Sequence, residues 1–183
     1  MTSIVLDASV GVALVWDEDI SPAARRTVSD WAVDGTSFVV PASFWTEVVN
    51  ALAMRHRQPG SIVIEALHKL DEVEVDTVQI DRPTLLAGLD LVERAGLTIY
   101  DAIYLALARS LGARLATLDR ELIVAGGSDA IDMWQVGRLG PDGHRLAEQP
   151  APYGRSERPV TWPTWPGAGS YLATLRRQAM AAE

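Results

Sequence analysis

The chain has 183 residues, 48% hydrophobic and 22% charged, an ordinary globular composition that excludes wholesale disorder, collagen-like sequence and coiled coil. It contains no cysteine, so disulfides, zinc–thiolate centres and thiol catalysis are excluded and any chemistry rests on oxygen and imidazole groups. The net charge of −8 argues at first against a nucleic-acid partner, yet residues 1–128 carry 10 Lys and Arg against 18 Asp and Glu while 129–183 balance at 6 and 6; a cation among converging acids would invert the local sign, so charge does not decide the partner.

Residues 3–6 form a short apolar run ending in Asp7, which predicts a strand, followed by an apolar stretch over 10–16 and the acidic loop Asp17, Glu18, Asp19. Ser21 and Pro22 read as an N-cap and a first helical position, with Val28, Trp31 and Ala32 as the inward stripe. A strand over 37–40 stops at Pro41, a helix over 43–57 carries Phe44, Val48, Ala51 and Leu52 on one side, and a second helix covers 61–70. Residues 73–78 alternate apolar and acidic side chains as an edge strand does. Pro83 opens a helix that Gly96 closes, 101–110 is a nearly all-apolar helix, 115–118 is a strand, and 130–136 supplies a last one. This alternation predicts an α/β fold with a mainly parallel sheet between helical layers, and functional groups beyond the carboxyl ends of its strands.

Residues 137–170 hold six prolines and six glycines, with Tyr153, Trp162 and Trp165. They read as an irregular strap, followed by one terminal helix over 171–182. The domain division expected is therefore 1–136 and 137–183. No apolar run approaches the ~18 residues of a membrane span and the start of the chain has no basic leader region, so a cytoplasmic protein is expected.

Four acids fall at element ends or on helices bordering that edge. Asp7 and Asp119 follow strands, Asp101 begins a helix, and Glu47 lies within one. Taken singly, each has an ordinary explanation: a strand-end turn, a helix-dipole acid or a solvated helix residue. Gathered on one edge they would repel by several kcal/mol unless a hard cation such as Mg²⁺ or Mn²⁺ sat among them. His56, His68 and His144 lack metal-ligand spacing and read as surface residues. The absence of G-x-x-x-x-G-K and G-x-S-x-G disfavours nucleotide hydrolysis by a phosphate loop and a serine hydrolase.

The stretches IVLDASV, PASFWTEVVNAL, GLTIYDAIYLALARSLGA and LATLDREL resemble the PIN-domain ribonucleases, most closely the VapC-type toxins of bacterial toxin–antitoxin pairs, over about residues 1–136. The resemblance implies a PIN-like three-layer α/β/α sandwich and a Mg²⁺- or Mn²⁺-dependent endoribonuclease leaving 5′-phosphate and 3′-hydroxyl ends. It implies Asp7, Glu47, Asp101 and Asp119 as catalytic metal ligands, with Ser9, Asn50 and Thr117 in support. RNA and an antitoxin are the implied partners. Arg25, Arg26, Arg55 and Arg57 are candidates for RNA contact, with helix capping an equal explanation for the last pair. A homodimer is expected through the apolar residues of the helices over 61–70 and 83–95, namely Ile62, Ile64, Leu67, Leu85, Leu86, Leu89, Leu91 and Val92. The segment after Val136 departs from the family pattern; it reads as a packed strap, or as a self-inhibitory arm bringing Arg176 or Arg177 to the acids. Competing readings are an inactive PIN-fold interaction module and an aspartyl-phosphate phosphatase, the latter disfavoured because Ser9 stands where a second acid is needed.

Overall fold

A computed structural model describes residues 2–136 of the chain. The expectations for 137–183, including His144, Arg176 and Arg177, lie outside the described residues. Among the described residues five strands, β1 (Ser3–Leu6), β2 (Ser37–Pro41), β3 (Val75–Val78), β4 (Arg114–Thr117) and β5 (Ala130–Asp132), form one wholly parallel sheet in the order β3-β2-β1-β4-β5. Val5 pairs with Val39 on one side and Leu115 on the other. Central parallel strands are covered on both faces and so read as unbroken apolar runs, and Val5, Leu6, Val40, Leu115 and Ala116 are fully buried. The edge strand β3 instead exposes Asp76 and Thr77, which accounts for its alternating sequence.

Among the described residues, eight α-helices accompany the sheet: α1 (Ala8–Val15), α2 (Ser21–Val33), α3 (Ser43–Asn50), α4 (Gly60–Asp71), α5 (Arg82–Ala95), α6 (Ile99–Ser110), α7 (Arg120–Gly126) and α8 (Met133–Val136). Helix α1 packs with α2, α3 and α4, while α6 lies against β1, β2 and β4 and pairs with α5. Gly11 of α1 permits a close approach of α3, because a Cβ there would sit 2.5 Å from Cζ of Phe44, a ring with no solvent exposure. Strands β2 and β3 lie on one side of β1 and β4 and β5 on the other, so the strand order reverses between β1 and β4. The crevice beyond the carboxyl ends of such a pair is where open parallel sheets hold ligands.

Several local expectations are corrected. Ser21 does not cap α2: its hydroxyl is turned back to the Trp16 carbonyl at 2.6 Å and accepts from the Glu18 N–H at 2.9 Å, closing the preceding loop. Ala32 is exposed, and Ala24 and Val28 carry the buried stripe. The helix expected over 43–57 is α3 followed by a π-helical turn, Ala51–Arg55. The last strand ends at Asp132, whose carboxylate accepts from the N–H groups of Trp134 and Gln135 at 2.9 and 3.3 Å and starts α8. Leu91 is buried, and Leu67 and Val92 are half-buried. His56 is half-buried against Trp16, with ring centroids 5.6 Å apart and Nε2 3.3 Å from Glu18 Oε1. Burial pushes its pKa below the usual imidazole value against the pull of Glu18, and Arg55 adds to the downward push. His68 is exposed as expected. Among the described residues no helix is long and apolar enough to cross a membrane.

Candidate active site

Asp7 leaves β1 at the strand reversal and caps α1 in extended backbone geometry. Its own N–H continues the ladder to the Ala116 carbonyl at 3.0 Å, fixing the residue against the end of β4. Three donors converge on Oδ2: the Thr117 hydroxyl at 2.8 Å, the Ser9 hydroxyl, and the Ser9 N–H at 3.4 Å. Each hydroxyl is oriented by a backbone donor, since Ser9 Oγ accepts from the Leu118 N–H at 3.1 Å and Thr117 Oγ1 from the Asp119 N–H at 3.0 Å. The D-x-S and T-x-D motifs thus form one lattice of hydrogen bonds joining β1 and β4. Burial raises the pKa of Asp7; the Ser9 and Thr117 hydrogen bonds oppose this, and the charge of Asp101 adds to it.

Asp101 lies in the first turn of α6, which begins two residues earlier than expected. Thr98 caps that helix by accepting from the Asp101 N–H at 3.2 Å, and its hydroxyl donates to Asp101 Oδ2 at 2.6 Å. Glu47, half-buried on α3, accepts on Oε1 from the Tyr104 hydroxyl at 3.1 Å. Its pKa is raised by burial, lowered by Ser43 and Tyr104, and raised again by Asp7 and Asp101. Ser43 Oγ is buried near Glu47 and Tyr104 without a hydrogen bond of ordinary geometry.

Asp7, Glu47 and Asp101 therefore share one electrostatic environment. Asp119 stands exposed two residues beyond Thr117 and spends Oδ1 on capping α7, accepting from the N–H groups of Glu121 at 2.7 Å and Leu122 at 3.1 Å. Among the described residues no three acidic or histidine side chains are gathered tightly enough to hold a metal alone. The donor set is nonetheless entirely oxygen, and Mg²⁺ ordinarily takes only one or two carboxylates, completing its shell with water and phosphate. The residues fit such an ion.

Residues 4–127 match the family model described as the PIN domain. The chain belongs to the PIN domain family. This PIN domain is 30% identical over 123 residues to Ribonuclease VapC3 of Pyrobaculum aerophilum, a span of 65% of the chain and 91% of that relative. Among solved structures it resembles PAE2754 from Pyrobaculum aerophilum at 27% identity with a TM-score of 0.54, covering 74% of this chain and 93% of that one. A toxin–antitoxin complex from Klebsiella pneumoniae shares the fold at 18% identity and a TM-score of 0.53, over 71% of this chain and 97% of that one.

The other candidates are more scattered. Asn50 is exposed at the end of α3, and Arg26, Arg55 and Arg57 are exposed. Arg25 is engaged in the acidic loop, donating to Asp17 Oδ1 and to the Leu14 carbonyl, each at 2.7 Å. Sequence reading missed Thr98, Ser43, Tyr104 and Trp134. Trp134 donates its indole N–H to the Leu118 carbonyl at 3.0 Å and so braces the step between β4 and Asp119. Only Thr98 left a local signal, the T-x-x-D spacing of a capping box.

The raised pKa values of Asp7 and Glu47 carry a sign for stability. Between the ordinary carboxylate values of 3.8 and 4.5 and the raised ones, the folded chain binds more protons than the unfolded chain. Their contribution is thus fully present below the unfolded values and is lost as pH rises through the folded ones. The lowered pKa of His56 acts in the opposite sense below 6.5, so comparison with a variant isolates the carboxylate. In EDTA, the stability advantage of Asp7→Asn over wild type should grow as pH rises from about 4. Urea unfolding at a series of pH values measures this; a constant difference would contradict it.

Proposed function

We propose that this PIN domain is a Mg²⁺- or Mn²⁺-dependent endoribonuclease, a cytoplasmic toxin that hydrolyses RNA phosphodiesters and is held by a cognate antitoxin. The observation that carries this reading is the buried Asp7 at the β1/β4 reversal, fixed by the Ser9 and Thr117 hydroxyls on Oδ2, with the charges of Asp101 and Glu47 close enough to act on the same site. A site where carboxylates burden one another at a ligand-binding edge is suited to a cation. The relative named as a ribonuclease supports the substrate class, and the solved toxin–antitoxin complex of the same fold supports the partner.

Asp7, Glu47 and Asp101 would hold the ion, with Asp119 joining at the exposed rim. When bound, such a cation lowers the pKa of water and neutralises charge developing on the phosphate oxygens. Ser9 and Thr117 keep Asp7 fixed, and Thr98 orients Asp101. One carboxylate accepts the proton of the attacking water. Arg26, Arg55 and Arg57 lie outside the acidic centre, where their charge serves RNA approach, and Arg25 contributes through the loop it anchors. Asn50 is assigned a polar supporting role at the end of the Glu47 helix.

Ile62 and Ile64 of α4 and Leu85, Leu86 and Leu89 of α5 are 37–51% exposed, apolar side chains that support a homodimer, which sedimentation velocity would test. The proposed activity is tested by stripping the purified chain with EDTA and restoring Mg²⁺ or Mn²⁺. RNA cleavage should vanish and return, and either ion should raise the melting midpoint of the chain. Cleavage indifferent to EDTA would refute the reading, and a folded chain that neither binds the ions nor cuts RNA would favour an inactive interaction module.

A further inference from the structure

Tyr104 has no solvent exposure, and its hydroxyl donates to Glu47 Oε1 across 57 positions of sequence. Its place on α6 explains how the two meet. Residues three apart share a helix face, so Tyr104 lies one turn below Asp101. Long helical side chains lean back toward the N-terminus, which carries the phenol up to the level of the acids. A fully buried hydroxyl needs a partner and Glu47 supplies it. Burial, followed by the charges of Glu47 and Asp7, keeps the phenol protonated far above neutral pH, so it remains a donor.

Glu47 has three rotatable side-chain bonds and is only half-buried. The like charges of Asp7 and Asp101 act on it and favour swinging its carboxylate toward solvent. Ser43 also lies close to Glu47, but on the same helix and four residues away. The Tyr104 hydroxyl opposes that swing from a fully buried ring on α6, a helix packed against β1, β2 and β4. We infer that Tyr104 is a positioning residue: its hydroxyl holds Glu47 in the orientation from which the carboxylate ligates the divalent ion, while touching neither ion nor RNA itself. This rests on the metal-dependent reading above.

Tyr104→Phe keeps the ring and removes only the hydroxyl, and Glu47 can be rehydrated, so the variant retains the fold, as its metal-free melting curve would show. Mn²⁺ binding to the RNA-free chain, followed by electron paramagnetic resonance, should weaken by about 10-fold in Tyr104→Phe, the scale for losing a group that orients a metal ligand. In the cleavage assay the variant should need correspondingly more Mn²⁺ yet regain wild-type kcat at saturation. Unchanged Mn²⁺ affinity would overturn the inference and leave the hydroxyl as a satisfied core group. Weakened affinity with kcat not restored at saturation would also overturn it, because the loss would then not act through metal occupancy. A wild-type chain that binds no Mn²⁺ would instead overturn the metal-dependent reading, and this inference with it.

Discussion

Asp7→Asn and Asp101→Asn should each reduce metal-dependent RNA cleavage by about 10²–10³-fold while leaving the fold in place, the range found for deleting one preorganised electrostatic group at a reacting centre. Both substitutions preserve shape. In Asp7 the three donors meet on one oxygen, Oδ2, and an amide oxygen placed there accepts from Ser9 and Thr117 as the carboxylate does. Asn also ranks with Asp as a helix cap, so α1 keeps its start. Asp101→Asn likewise keeps an acceptor for the Thr98 hydroxyl. What each variant loses is a negative charge, together with its repulsion of the remaining acids. Activity should therefore fall while metal-free stability holds or rises. Undiminished cleavage by either purified variant would remove that residue from the site.

Phe44→Ala should cost about 3–5 kcal/mol, enough to lower the melting midpoint by roughly 10 °C or more. Phe44 is fully buried on α3, stands edge-to-face with Trp45 at a centroid distance of 5.3 Å, and fills the space left by Gly11 of α1. Its removal leaves a void between the helix that carries Glu47 and the helix that Asp7 caps, so stability and activity should fall together. Thr46, on the same helix but exposed, provides the control, and Thr46→Ala should change stability by less than about 0.5 kcal/mol. Calorimetry of the two variants makes the comparison; similar midpoints would show that α3 is not held through Phe44.

The parallel sheet was legible because its central strands are apolar runs between helical periods, and the strand-end positions of Asp7 and Asp119 were legible because those runs stop at them. The edge position of β3 showed in its alternation. Other features depend on choices a local pattern leaves open. Ser21 followed by Pro22 reads as a cap, yet the hydroxyl instead closes the loop from Trp16 to Glu18, a contact no spacing rule distinguishes. Asp132 carried a cap signal that the surrounding apolar residues obscured, which is why a strand was expected through Val136. Nothing in Ala51–Arg55 marks a π-helical turn. Tyr104 sits in a stretch whose apolar neighbours describe only core, and its partner is remote in sequence, so its link to Glu47 emerges only from the fold. The pairing of Ser9 and Thr117 on Asp7 is similar, because it depends on β1 and β4 being neighbours although 110 positions separate Thr117 from Asp7.

The most direct test of the central claim, that these carboxylates support hydrolysis of RNA by metal-activated water, is the chemistry of the cut ends. RNA cleaved by the purified chain in Mg²⁺ or Mn²⁺ is analysed for its termini by enzymatic end-labelling and mass spectrometry. Attack of water on phosphorus with expulsion of the 3′ oxygen predicts 5′-phosphate and 3′-hydroxyl ends, formed only when the ion is present and reduced about 10²–10³-fold with Asp7→Asn. Products ending in 2′,3′-cyclic phosphate, or formed equally in EDTA, would contradict the account.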